Sequence, residues 1–332
     1  MNHFYLLITL GLLIIQNNTF AVSIISWWNY LKENEIAILE RECSVKISLD
    51  EYYSSKEFLR KVKKFDYSVA IFGNALYDLV ESKIENTANI FRSSINQYHP
   101  NVAKAFKKQK YSKKTAIGNI TTSGFLFNAN TVYLNETDSI NKIFAKAKGK
   151  NVAIMDEPLE ALKLVSQYNN NGEIDVSEAS IIAFQNLVSE TQTIIADDIL
   201  HVVKDKKFAF AYSWSGIAFK RFFDYPDLNL KFILHPQVSY YTYDLIAPLN
   251  NNKDTFCVAK KLAEKNIIDI FVNRQHYYSP YGMPTKVNAM MEGYHNDFIE
   301  TFPQFKLLEV NNKNQIKIIN LWEKMILSLK IK

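Results

Sequence analysis

Glycine and proline are scarce, nine and eight in 332 residues, and no low-complexity stretch interrupts the chain. That excludes a flexible tether, so if the chain folds into more than one lobe, strands must join them. Cysteine occurs only twice, as Cys43 and Cys257. No Cys or His pair has ligand-like spacing, which leaves a zinc site unsupported. Neither cysteine directly follows the N-terminal apolar segment, where an anchored lipoprotein carries its lipid. Sequence spacing does not say whether the two pair in an oxidising compartment or are small buried hydrophobes; unpaired thiols are the expectation. Beyond the N-terminus no continuous apolar run reaches the roughly 20 residues of a spanning helix. Gly-x-Ser-x-Gly, His-Glu-x-x-His, Walker and Rossmann fingerprints are all missing. An enzyme is therefore not expected, and neither is a cofactor.

Met1 to Ala21 has an apolar core from Phe4 to Ile15, then polar Gln16-Asn17-Asn18, then Thr19-Phe20-Ala21. This is the pattern of a secretory signal peptide, although its only positive groups are the α-amino group and His3. A soluble, exported mature chain follows from it. At 48% hydrophobic and 14% aromatic, that chain can bury a large core and is long enough for two lobes. The net charge of +5 includes a basic run at Lys104, Lys107, Lys108, Lys110, Lys113 and Lys114. With no nucleic-acid motif beside it, the run reads as a solvated face, and no nucleic-acid partner is expected.

From Val22 onward apolar and helical segments alternate. Val22 to Trp28, Val45 to Leu49 and Tyr67 to Phe72 read as strands, with helices at Asn34 to Glu42 and Ser55 to Lys64 between them. A second set has strands at Asn151 to Met155, Phe208 to Ser213 and Leu230 to Leu234, with helices at Glu157 to Gln167 and Ile217 to Phe223. The fold class is α/β with two lobes. Apolar spacing over Phe256 to Val272 and Ile318 to Leu329 predicts core-facing helices, with Trp322 and Met325 as packing residues.

Parallel α/β sheets bind ligands at the carboxyl ends of their strands. Those ends hold Trp27, Trp28 and Tyr30; Gly73; Glu157 and Glu160; Trp214; and Tyr241, Tyr243 and Asp244. Aromatic faces attract cations and cover methylene stems, while carboxylates pair with ammonium groups. Such a lining suits a flexible aliphatic polycation. Each part also has an ordinary structural reading: Asp156-Glu157-Pro158 and Glu160 are good helix-start chemistry, Trp27 and Trp28 point to opposite faces of a strand, and Asp244 is a possible turn or ion-pair carboxylate.

At these positions the chain resembles the periplasmic spermidine/putrescine-binding proteins of ABC transporters, of the type 2 periplasmic-binding fold. Ser26-Trp27-Trp28-Asn29-Tyr30 is similar to their Asn-Trp-x-x-Tyr strand end, and Tyr67 to Gly73 to their Tyr-Asp-Leu-Val-Val-Pro-Ser. Thr122 to Asn128 resembles their crossing strand, and Met155 to Glu160 their Asp-Asp-x-x-Glu. Ala211 to Gly216 is similar to x-x-x-Trp-Asn-Gly. In Tyr240 to Ala247 the acid is kept as Asp244, but Thr242 takes the aromatic position, leaving Tyr241 or Tyr243 to substitute. Gly282-Met283-Pro284-Thr285 with Asn288 is similar to Gly-Tyr-Pro-Thr-Pro-Asn, with Met283 in place of the tyrosine. Gly73 and Ala75 stand where the family has Ser and a ligand-contacting Tyr, so one end of the pocket is remodelled.

The resemblance implies two lobes, each a mixed, mainly parallel sheet flanked by helices: 22–121 with 247–291, and 122–246 with 292–332. It further implies a periplasmic monomer that binds spermidine or putrescine and hands it to ABC permease subunits in the membrane. A ferric-ion or other small-cation binder of the same fold is the alternative, since Tyr240-Tyr241 and Tyr277-Tyr278, the latter beside His276, offer hard oxygen ligands.

Overall fold

The computed structural model describes residues 21–86, 90–168, 173–196, 199–287, 289–309 and 314–329. The expected signal peptide, apart from Ala21, and Asn288 lie outside them.

Among the described residues ten strands form one continuous sheet: β1 (Val22–Trp27), β2 (Ile47–Tyr52), β3 (Val69–Gly73), β4 (Ala116–Asn128), β5 (Asn151–Ile154), β6 (Gln192–Ile195), β7 (Phe208–Trp214), β8 (Leu230–Ile233), β9 (Tyr240–Pro248) and β10 (Lys306–Leu307). Their order is β2-β1-β3-β9-β4-β7-β5-β6, with β10 on β9 and β8 on β4. Two parallel blocks result. In one, β1 pairs with β2 and β3; in the other, β5 pairs with β6 and β7. The antiparallel strands β9 and β4 connect the blocks. Strands β1, β3 and β7 read as near-continuous apolar runs because they are buried on both faces.

Strand β4 changes partners along its length. Ala116 to Thr122 pairs with β9, and Ser123 to Asn128 pairs with β7 and β8. Twelve of its thirteen residues are buried, and Gly124 is required there: a Cβ would lie 2.5 Å from the Phe232 ring and 2.7 Å from the Ile233 carbonyl. This is the mixed, two-block α/β architecture anticipated from the alternating segments.

The helices that bear on the cleft or on the disulfide are α1 (Glu33–Cys43), α2 (Ser55–Lys64), α3 (Pro158–Tyr168), α4 (Ser215–Asp224), α5 (Lys253–Leu262), α6 (Lys265–Gln275) and α7 (Gln315–Leu329). Ser54 caps α2 by accepting from the Glu57 amide at 3.2 Å. Trp322 and Met325 of α7 are buried, as their spacing predicts. The helix expected across Phe256 to Val272 is instead two, α5 and α6. Neither Gly nor Pro marks the break; the Tyr281 hydroxyl takes the Ala263 carbonyl there, and Glu264 turns extended to start α6.

The expectation of unpaired thiols is overturned. Cys43, at the end of α1, and Cys257, in α5, form a disulfide across 214 positions, with Cα atoms 5.8 Å apart. Packing of α1 against α5 brings them together, and Lys261 pairs with Glu42 at 3.0 Å beside them. Nothing in the local sequence of either cysteine carries that information. Among the described residues no helix is long and apolar enough to cross a membrane.

Candidate ligand-binding cleft

The carboxyl ends of β1, β2, β3, β5 and β7 converge on a cleft of about 480 Å³. Eight of the eleven residues expected from the sequence line it: Trp27, Trp28, Tyr30, Gly73, Glu157, Glu160, Trp214 and Asp244. Trp27 packs on Tyr52 at 4.4 Å because parallel pairing aligns the last residues of β1 and β2. Its other edge meets Trp214 at 6.4 Å, which brings the ends of β1 and β7 together. Trp28 is 54% exposed and stacks on Tyr53 at 5.7 Å, so this aromatic pair forms the rim rather than the floor.

Asp244 is the charged centre. Trp27 Nε1 donates to its Oδ1 at 3.1 Å; the Tyr30 hydroxyl and Asn119 Nδ2 donate to its Oδ2 at 2.7 and 2.8 Å. These three donors are neutral, and among the described residues no Lys, Arg or His stands at ion-pair distance. Burial raises its pKa to about 6 even though the hydrogen bonds from Tyr30 and Trp27 oppose the shift. Gly73 pairs with Asp244 in the β3–β9 register, and the nearest atom to a Cβ built on Gly73 would be Asp244 Oδ1, 4.0 Å away. The missing side chain leaves open space beside the carboxylate.

Glu157 and Glu160 occupy the turn after β5 and the first turn of α3, 8% and 5% exposed. Ser55, at the start of α2, donates to Glu157 Oε1 at 2.5 Å. Asp156 accepts from Trp322 Nε1 at 2.7 Å, which fixes the turn that presents both glutamates. The helix-start reading and the site reading therefore hold together for this segment: the same residues begin α3 and line the cleft.

Tyr241, Tyr243 and Met283 are not in the cleft. Alternation along β9 sends Thr242 and Asp244 to the cleft and turns Tyr241 and Tyr243 into the core. There Tyr241 packs on Phe302 at 4.6 Å and Tyr243 on Phe106 at 5.6 Å. An aromatic one position away from the family's does not substitute, because one step reverses the face. Met283 is half-buried just after the Ser279 to Gly282 turn and lines no part of the cleft. Of the two tyrosine pairs weighed as iron ligands, only Tyr277 reaches the cleft; Tyr278 stacks on Phe298 at 3.9 Å. Among the described residues no group of three His, Cys, Asp or Glu could hold a metal ion.

Other lining residues went unforeseen. Tyr52 ends β2, and Tyr53 and Ser55 follow; the strand-end rule applied to β2 would have found them, but the expected strand stops at Leu49. Lys220 and Arg221 of α4, with Gln275 and Tyr277, also line it. For Lys220 and Arg221 the signal is helical spacing from Gly216 and Ile217, visible only once α4 is known to point its first turn at the cleft.

No protein-family model and no curated protein matches the chain. Solved structures do. A spermidine/putrescine ABC transporter substrate-binding protein, PotD, from Streptococcus pneumoniae aligns over 94% of this chain and 98% of its own, with a TM-score of 0.68 at 16% identity. The chain has the two-lobed fold of ABC-transporter substrate-binding proteins. The TpPotD lipoprotein of Treponema pallidum aligns over 94% and 100%, with a TM-score of 0.67 at 12% identity. A periplasmic-binding protein from A. tumefaciens B6, in complex with glucopine, aligns over 92% and 99%, with a TM-score of 0.64 at 12% identity. Proteins of this fold thus carry different solutes, and identity this low speaks to fold alone.

Proposed function

We propose that this protein is an exported solute-binding protein that captures a small aliphatic polyamine, putrescine or spermidine, and presents it to the permease of an ABC-type importer. The observation that carries the reading is Asp244: a half-buried carboxylate, surrounded by aromatic rings and held by neutral donors, without a cation of its own among the described residues. A buried ionised group is costly unless it is paired. An ammonium ligand supplies the missing charge, and Trp27, Trp214 and Tyr277 cover its methylenes. Glu157 and Glu160 offer a second ammonium its partner. The spermidine/putrescine-binding neighbours support the same class of ligand.

The lobes we assign are 22–121 with 247–291 and 122–246 with 292–332. The partner change of β4 between Thr122 and Ser123 supports the first crossing point. Closure about the crossing strands would bury the amine between the two walls. The Cys43–Cys257 disulfide supports export, since such bonds persist in oxidising compartments such as the periplasm.

Isothermal titration of the mature chain, unfolded and refolded to strip co-purified ligand, tests the proposal. Saturable binding of putrescine or spermidine is expected at micromolar affinity or tighter. Asp244→Ala should weaken it by about 2–5 kcal/mol, because one ammonium is left unpaired in a desolvated cleft. Absence of heat with both amines would reject the ligand class.

A further inference from the structure

The cleft is charged differently at its two ends. Glu157 and Glu160 stand at the end bordered by Ser55. Lys220 and Arg221 of α4 stand at the end bordered by Gln275 and Tyr277. Gly216 fixes α4 against that end: a Cβ there would lie 2.3 Å from the Tyr277 ring and 2.7 Å from the Gln275 carbonyl. Asp244 lies between: Tyr30, whose hydroxyl bonds it, neighbours Tyr277, and Tyr52 neighbours both Asp244 and Glu157.

The two cations differ in what neutralises them. Arg221 is 4% exposed and faces Asp224 at 3.0 Å. Lys220 is half-buried, and among the described residues no carboxylate lies at ion-pair distance from it. Its field is felt nearby, where burial and then Lys220 lower the pKa of His276. An uncompensated ammonium on a cleft wall acts on a ligand directly, because a cleft walled by protein screens charge less than open water does.

A polyamine lying along this cleft meets carboxylates at one end and in the middle, and like charge at the other. We infer that Lys220, with Arg221 beside it, is a specificity-determining residue that rejects a third ammonium group, so the cleft selects a diamine over a triamine. The inference rests on the cleft being an amine site. A diamine places its ammonium groups on Asp244 and on the Glu157–Glu160 end, leaving the Lys220 end to its methylenes and water. A triamine of the same backbone chemistry must bring its remaining ammonium towards Lys220 or leave a carboxylate unmet. Discrimination thus comes from a built-in repulsion rather than from a contact to the preferred ligand.

The test is a competition of putrescine against spermidine by isothermal titration, in the wild-type mature chain and in Lys220→Gln and Lys220→Glu. The wild type is expected to bind putrescine at least tenfold tighter than spermidine. In Lys220→Gln the ratio should narrow, and in Lys220→Glu spermidine should gain at least tenfold relative to putrescine. Equal or tighter binding of spermidine by the wild type overturns the inference and leaves the amine reading standing. So does a ratio that neither variant moves. If the wild type binds neither amine, the amine reading falls and this inference falls with it. Thermal melting curves establish that the variants fold; should neither do so, the wild-type ratio decides alone.

Discussion

Ser55 donates to Glu157 at 2.5 Å across 102 positions of sequence, joining the start of α2 on one wall of the cleft to the start of α3 on the other. Lys56, the next residue, pairs with Glu323 of α7 in the same direction. Removing the hydroxyl leaves a nearly buried carboxylate short of a charge-assisted bond, a loss of about 1–3 kcal/mol. Ser55→Ala is expected to show that loss as opening, seen as a larger radius of gyration for the unliganded protein in X-ray scattering. An unchanged scattering profile would assign the pair no part in holding the walls together.

Asp244 predicts a pH dependence. Its pKa rises on folding from an ordinary 3.8 to about 6, so the folded state holds its proton more tightly than the unfolded chain. The contribution is fully present below about 3.8 and is lost as pH rises to about 6, a change of about 3 kcal/mol at most. Stability of the unliganded protein should therefore carry a downward component over that window which Asp244→Asn removes, measurable by urea titration at a series of pH values. Amine affinity should run the opposite way, falling as pH drops below about 6 and the carboxyl is neutralised.

Gly216→Ala places a methyl group inside the Tyr277 ring and against the Gln275 carbonyl. The backbone carbonyl cannot swing aside, so α4 must shift. A destabilisation of about 1–3 kcal/mol is expected, together with weaker amine binding because Ile217 and Tyr277, which line the cleft, are displaced. A melting curve and one titration on the same sample check both.

Reduction of the Cys43–Cys257 bond opens a long loop, and native disulfides of this kind contribute about 2–5 kcal/mol. Cys43→Ser with Cys257→Ser should lower the melting temperature and abolish its sensitivity to dithiothreitol. A double variant that melts with the wild type would mean that the bond adds no stability.

Where sequence and structure agree, the reason is local. Five of the six strands of the two parallel blocks announce themselves as apolar runs between helical periods, β6 being the exception, and strand ends name the cleft, so eight of eleven proposed residues arrive there. Disagreements arise where the information is not local. Tyr241 and Tyr243 were one residue from a matching position, yet a strand's two-residue period makes that the difference between cleft and core. Cys43 and Cys257 meet only because two helices far apart in sequence pack together. Lys220 carries no local mark in the sequence; its standing depends on Gly216 seating α4 against Tyr277.

The placement of β9 between β3 and β4 also sets an order of assembly. The N-terminal block cannot acquire its fourth neighbouring strand until Pro248 has left the ribosome, and α1 cannot be tied to α5 until Cys257 follows. By then every strand of the other parallel block has already been made. The block synthesised first thus waits for a strand made after every strand of the second, and the second in turn waits for Trp322 and Met325 of α7 to close its core.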